Sequence, residues 1–255
     1  MDRRLHYFGL SDTGKVRLNN EDAFCVKSIW GDTHLLLLVV DGCGGYEGGE
    51  IASDIALKTI LHVLDLGEGQ YRMEALRNAV VEANNAIHRE RESKEDISSM
   101  GCVLTAAIID KSNDMALVAH VGDTRCYLLD NKGFRKITHD HSFVGELEEE
   151  GALSEEEAMN HPIRSVIDRM VGADLHMADD GFVDTTILSL PAEYLIMVCS
   201  DGLSDYVTSR EMEEILNSNY TTEEKCRSLV RIANRKEGKD NITVVIAEKE
   251  YEKEQ

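Results

Sequence analysis

The chain is 255 residues long, 42% apolar and 29% charged, with a formal net charge of -21. That charge argues against nucleic acid as a partner, because a phosphate backbone needs a basic face, and it equally disfavours an anionic membrane. No apolar run approaches the roughly 20 residues that span a bilayer, and MDRRLHYFGL lacks the apolar core of a secretion signal, so the expected compartment is the cytoplasm.

The six cysteines, Cys25, Cys43, Cys102, Cys126, Cys199 and Cys226, form no C-x-x-C pair and sit mostly in apolar runs. This argues against a structural zinc site and predicts free thiols. Ser11–Gly14 is a turn signal, and KVRLNNEDAF over 15–24 then sets Arg17 three residues before Asn20-Glu21-Asp22. An arginine so placed reads as a surface ion pair. The functional alternative is a guanidinium clamping a phosphate near a metal-binding carboxylate.

Leu35–Val40 is an unbroken apolar run that reads as a buried strand. It stops at Asp41, followed by Gly42, Gly44, Gly45, Gly48 and Gly49. An aspartate and glycine after a strand make an ordinary turn. They also leave main-chain carbonyls free to face a hard dication such as Mg²⁺ or Mn²⁺. Neither a G-x-G-x-x-G nor a P-loop spacing is present.

Helical spacing predicts helices over 50–66 and 73–92, with a polar loop over 93–99. Val103–Ile109 and Met115–Val121 read as strands joined by a turn at 110–114, and 126–129 as a further strand. Between them, Val121-Gly122-Asp123 repeats the pattern of strand, glycine and carboxylate. Residues 139–170 are the most polar section; Ser154 and Glu157 form a capping box that opens a short helix, which His161-Pro162 closes. This section is expected to be a mobile cover beside the site, against the plainer reading of a solvated helix pair. Strands resume at Phe182–Leu188 and Tyr194–Cys199, the second ending in Ser200-Asp201-Gly202. Capping boxes at Thr208/Glu211 and Thr221/Glu224 open helices near 209–217 and 222–235. Asp240-Asn241 precedes a last strand, Ile242–Ala247, and a charged tail from 248 to 255 is expected to fray. With no repeat and no linker, a single domain over 1–255 is expected.

Four aspartates, Asp41, Asp123, Asp201 and Asp240, thus border apolar strands, with Arg17 and Arg125 as the main nearby cations. Buried carboxylates are costly unless paired or metal-bound. An excess of acids over cations implies an external cation, and two-metal sites activate water for attack on phosphorus. No H-E-x-x-H occurs, so an oxygen-ligand site is preferred.

At these residues the chain resembles the metal-dependent protein phosphatases, the PPM or type 2C serine/threonine phosphatases, in their compact bacterial form. The matching blocks are SDTGKVRLNNEDAF, VVDGCGGYEGGEIAS, MGCVLTAAII, VAHVGDTRCYLL, ITHDHSFVGELEEEG, HPIRSVIDRMVG, MVCSDGLSDYV and GKDNITVVIAE, in family order across roughly residues 5–248. The resemblance implies an α+β fold, a four-layer α-β-β-α sandwich of two antiparallel sheets packed face to face with helices outside. It implies two Mn²⁺ or Mg²⁺ ions bridged by Asp41, with Gly42 offering its carbonyl and Asp201 and Asp240 completing the carboxylates. Glu21 then holds metal-bound water, with Asp22 beside it in the site. Asp123 with Asp201 matches a third, weaker metal site. Arg17 matches the guanidinium that binds the substrate phosphate, and Asn241 matches a residue orienting Asp240.

The implied activity is hydrolysis of phosphoserine and phosphothreonine in proteins by metal-activated water, without a phosphoenzyme. The implied partners are phosphorylated proteins and a cognate serine/threonine kinase, and the expected state is a monomer. The alternatives are a catalytically weak regulatory binding module of the same family, and a metal-dependent nuclease, which the acidic charge disfavours. Cys43 stands where bacterial relatives have methionine; a packed spacer is the expectation, against a redox-sensitive thiol. Departures at Cys102, Thr124 and Glu237 remove no implied metal ligand.

Overall fold

Every residue of Leu35–Val40 is fully buried, and the reason is the architecture on either side of that strand. The computed structural model describes residues 3–44, 48–67, 72–93, 99–178 and 180–251. In chain order the elements are β1 (Arg3–Asp12), β2 (Asp22–Ile29), β3 (His34–Cys43), α1 (Gly48–Leu66), α2 (Arg72–Ser93), β4 (Gly101–Asp110), β5 (Met115–Val121), β6 (Arg125–Asp130), β7 (Gly133–Lys136), α3 (Phe143–Glu149), α4 (Glu155–Met159), β8 (Asp184–Ser189), β9 (Tyr194–Cys199), α5 (Asp201–Ser204), α6 (Ser209–Leu216), α7 (Thr222–Lys236) and β10 (Ile242–Tyr251).

The strands form two five-stranded sheets, β1-β10-β9-β6-β7 and β2-β3-β4-β5-β8. All paired strands are antiparallel. Alternate residues of a strand face opposite sides of its sheet. In β3, Leu35, Leu37 and Val39 pack with Cys126, Leu128, Ile196, Val198 and Val245 of the other sheet. Leu36, Leu38 and Val40 pack instead with Ala52, Ile60, Leu76 and Val80 of α1 and α2. On the far side, Met197, Cys199, Val244 and Ile246 meet Met212, Leu216, Cys226 and Leu229 of α6 and α7. The result is the four-layer α-β-β-α sandwich that the resemblance implies, and a strand covered on both faces must read as continuous apolar sequence.

All three predicted capping boxes are present, at Ser154, Thr208 and Thr221. β1 and β2 are strands that the sequence reading does not anticipate. In β1 the alternation is real but carried by few side chains: Leu5 enters the inter-sheet core, while Phe8 and Leu10 pack toward α7. The charged C-terminal tail does not fray from 248. Glu248 accepts from the buried Lys225 ammonium at 2.6 Å, Lys249 pairs with Asp114, and β10 runs to Tyr251. Residues 252–255 of that tail, 94–98 of the predicted loop and 45–47 of the glycine stretch lie outside the described residues. The 139–170 section buries more than its composition predicts, since Asp140, His141, Ser142, Val144 and Ala158 are all buried at its base. No helix among the described residues is long and apolar enough to cross a membrane.

Candidate active site

The sandwich brings one end of several strands together: the end of β3, the β5–β6 turn, the step from β9 into α5, the turn before β10, and the β1–β2 loop. They enclose a cleft of about 690 Å³ lined by Arg17, Glu21, Asp41, Gly42, Asp123, Asp201 and Asp240. Ser165 and Ile167 of the 139–170 section form part of its wall. Seven of the nine residues singled out in the sequence therefore face one space. The other two, Asp22 and Asn241, stand behind it.

Register accounts for the closest pair of acids. Asp22 on β2 is the direct cross-strand partner of Asp41 on β3, and the Gly42 amide donates to the Glu21 carbonyl at 3.2 Å. Gly42 must be glycine for steric reasons: a Cβ there would strike the Gly49 and Glu21 carbonyls. Asp22 Oδ2 accepts from Thr243 Oγ1 at 2.6 Å and from Ser200 Oγ at 2.8 Å, while its Oδ1 is buried with no hydrogen-bond partner. Asn241 does more than the expected orienting of Asp240. Its backbone N–H donates to Asp240 Oδ1 at 2.8 Å. Its side chain gathers the β1–β2 loop, with Nδ2 donating to the Thr13 and Asn19 carbonyls at 3.0 and 2.9 Å and Oδ1 accepting from the Glu21 amide at 2.8 Å. Arg17 lies at the mouth of the cleft, Nη2 2.7 Å from Asp240 Oδ2.

The Gly122–Asp123 turn is clamped by His141, whose N–H donates to the Gly122 carbonyl at 2.7 Å while its Nδ1 accepts from the Gly122 amide at 3.0 Å. Beneath Asp123 and Asp201, Arg125 donates to Asp140 through Nε and Nη2 at 2.9 and 2.7 Å, and Arg164 pairs with Asp205 at 2.7 Å. Those arginines are thus committed to other acids, and among the described residues no lysine or arginine forms a salt bridge with Asp41, Asp123 or Asp201.

The electrostatics follow. Burial, then the facing carboxylates Asp22, Asp201, Asp123 and Asp240, push Asp41 well above the usual carboxylate range. Asp201 is raised in the same way by burial and then Asp205, Asp123 and Asp240. Burial lifts Asp22 to about 6 against the hydroxyl bonds that lower it, and burial with Asp140 and Asp205 lifts Asp123 to about 7. Carboxylates crowded this way are destabilising as anions unless a cation joins them.

The candidate donor set lining the cleft is entirely oxygen, with one orphaned carboxylate oxygen, Asp22 Oδ1, buried behind it, and this fits a hard divalent cation. Among the described residues no three Asp, Glu, His or Cys side chains close around one point.

The sequence reading passes over Ser200 and Thr243, which fix Asp22, although Ser200 adjoins Asp201 and Thr243 lies two residues after Asn241. It also passes over Asp205, for which no local signal exists. Cys43 lines the cleft with its Sγ 3.2 Å from Met170 Sδ, and burial and then Asp123 push its thiol up to about 12. All six cysteines are free.

Comparison with known proteins agrees with this geometry. The family described as protein phosphatase 2C matches residues 14–242. The chain is 36% identical over 244 residues to the serine/threonine phosphatase stp of Listeria monocytogenes serovar 1/2a, covering 94% of each chain. It is 38% identical over 245 residues to the serine/threonine protein phosphatase PstP of Mycobacterium tuberculosis, covering 96% of this chain and 45% of that protein. Among solved structures, a bacterial serine phosphatase superposes with a TM-score of 0.86 at 29% identity, over 98% of this chain and 100% of that one. The catalytic domain of PstP in complex with two manganese ions superposes with a TM-score of 0.82 at 32% identity, over 97% and 99%. An acid-lined cleft at the strand ends of a four-layer sandwich, matched along nearly the whole chain, places this protein in the protein phosphatase 2C family.

Proposed function

We propose that this protein is a Mn²⁺- or Mg²⁺-dependent phosphatase that removes phosphate from phosphoserine and phosphothreonine in proteins. The observation that carries the reading is the convergence of Asp41, Asp123, Asp201 and Asp240 on one cleft, three of them in no salt bridge among the described residues, with the Arg17 guanidinium at the mouth. Asp41, the Gly42 carbonyl, Asp201 and Asp240 would hold two ions, Glu21 would hold their water, and Asp123 with Asp201 would hold a third. When bound, such ions supply Lewis-acid stabilisation of the phosphoryl oxygens and lower the pKa of water.

The chain's own residues supply the remainder. Arg17 leaves Asp240 to bind the substrate phosphate, to which a guanidinium can donate two parallel hydrogen bonds. Asp22, held by Ser200 and Thr243 behind the cleft, sets a second carboxylate opposite Asp41 on the neighbouring strand. Asn241 keeps Arg17 and Glu21 on the same loop in register with Asp240. Ser165 and Ile167 wall the cleft as part of a 139–170 flap within one domain spanning 1–255.

The partners on this reading are phosphorylated proteins and a cognate serine/threonine kinase. One chain carries every site residue, which supports a monomer, and six free thiols support a reducing compartment, the cytoplasm. The test is phosphate release from a phosphothreonine peptide with Mn²⁺, with Mg²⁺ and with chelator. Calorimetric titration of each metal gives an independent stoichiometry. Turnover that survives both chelator and the Asp41→Asn substitution overturns the assignment.

A further inference from the structure

The loop that carries Arg17 is pinned at both ends and bare between them. At one end the Lys15 amide donates to the Gly238 carbonyl at 2.7 Å. At the other, Asn241 holds the Asn19 carbonyl and Asn20 Nδ2 donates to Ser11 Oγ at 2.8 Å. The three residues left at the tip are Val16, Arg17 and Leu18. All three line the cleft. Arg17 turns to Asp240, while Val16 is 62% and Leu18 98% exposed. The turn that contributes Ser165 and Ile167 to the cleft wall carries two more bare apolar side chains, Ile163 and Val166, at 43% and 54%.

A single exposed leucine needs no explanation. Here, however, four of the eleven large apolar side chains exposed among the described residues fall on the two short segments that flank one cleft. Apolar groups rimming a polar pocket mark a surface that is covered when a ligand binds. The occupant is set by continuity with the pocket: whatever places a phosphate on Arg17 lays its neighbouring atoms across Val16 and Leu18. An extended peptide, at about 3.3 Å per residue, carries side chains on either side of the phosphorylated one to the rim.

We infer that Val16 and Leu18 form an apolar rim that selects phosphoprotein segments with an apolar side chain next to the phosphorylated residue. This rests on the phosphatase reading above and adds the class of sequence it acts on. Val16 and Leu18 are specificity residues, since they touch the substrate beside the reacting phosphate and take no part in its chemistry.

The experiment compares two phosphothreonine peptides that differ only in their flanking residues, leucine in one and serine in the other, with p-nitrophenyl phosphate as a third substrate. In Mn²⁺, kcat/KM for the leucine peptide should exceed that for the serine peptide about tenfold. That factor corresponds to about 1.4 kcal/mol, within what one buried leucine side chain contributes. In Leu18→Ser, and further in Val16→Ser/Leu18→Ser, the ratio should fall toward one. Leu18→Met should restore it, which a merely misfolded loop would not allow. A ratio near one in the unaltered protein, or one that the double substitution leaves intact, overturns the inference while p-nitrophenyl phosphate turnover preserves the phosphatase reading. Absence of turnover on all three substrates overturns both.

Discussion

Replacing Asn241 with alanine separates the two jobs that this residue performs. Its backbone N–H to Asp240 Oδ1 survives the change, so Asp240 keeps its partner. What is lost are two donations from Nδ2, to Thr13 and Asn19, and the acceptance from the Glu21 amide, all between 2.8 and 3.0 Å. Asn241 is 4% exposed, so its partners do not regain water on the buried side. At about 0.5–1.5 kcal/mol net per hydrogen bond, the three bonds sum to about 1.5–4.5 kcal/mol. The loop has a solvent face through which the freed groups can rehydrate, and the expected loss is about 2 kcal/mol. For a chain of this length that lowers the melting temperature by roughly 4–8 °C.

Function should suffer more than stability, because the freed segment carries both Arg17 and Glu21. Amide exchange should quicken over 13–21 and stay slow in β3, and kcat/KM on a phosphopeptide should fall by about tenfold or more. Asn241→Asp keeps an acceptor for the Glu21 amide but removes both donors and sets a second carboxylate beside Asp240, so it should be the worse of the two. An alanine variant that melts within about 1 °C of the parent, with unaltered exchange over 13–21, refutes this account of the loop.

Asp41→Asn should raise the melting temperature in chelator, because it removes one member of a repelling set, while phosphate release in Mn²⁺ falls more than about 100-fold; a drop in both argues that Asp41 is structural. Asp201→Asn should behave the same way, read by the same melting and phosphate-release assays. The folded values of Asp22, about 6, and Asp123, about 7, lie above the ordinary 3.8. A raised folded value means that stability is present at low pH and lost as pH rises through it. Buried His120 is instead held down to about 4, so its opposite contribution grows as pH rises from about 4 and levels off once pH passes the ordinary histidine value of 6.5. Between pH 6.5 and 8, in chelator, stability should therefore fall, by about 1 kcal/mol from Asp123 alone. Differential scanning fluorimetry reads this, and added Mn²⁺ should flatten the slope. Gly42→Ala places a Cβ against the backbone of Gly49 and Glu21, which cannot move cheaply; a loss of about 1–3 kcal/mol, with activity falling alongside, is expected from melting and phosphate release.

The sequence exposes the elements that bury many side chains per turn and hides those held by few. β3 is legible as an unbroken apolar run bounded by turn signals, and α2 and α7 because their apolar residues repeat at a period of 3.6. β1 is not, because only Leu5, Phe8 and Leu10 carry its alternation while charged and aromatic residues fill the gaps, and what secures it is its ladder with β10. The four strand-border aspartates are legible as a group because each stands within two residues of an apolar strand. Asp22 is legible only by resemblance: nothing around it says that it faces Asp41, since that depends on a register between two strands. The roles of Ser200 and Thr243 are set by the same pairing and share its invisibility, and Asp205 becomes notable only once α5 brings it under Asp201.

That register also explains how the fold tolerates such a site. Two carboxylates directly opposite one another in an antiparallel ladder are unfavourable, and β2 could relieve the pair by slipping one residue along β3. The slip would send Phe24 and Val26 out of the inter-sheet core and turn Ala23 and Cys25 toward the wrong layer. Because β3 is buried on both faces and pairs with β4 over ten residues, it has no freedom to move in response. The core therefore dictates the pairing, and the acids at the strand ends must meet at whatever electrostatic disadvantage follows. A divalent cation relieves that disadvantage without any rearrangement of the strands. Hence the same unbroken run of leucine and valine that stabilises the sandwich also sets the geometry of the cleft.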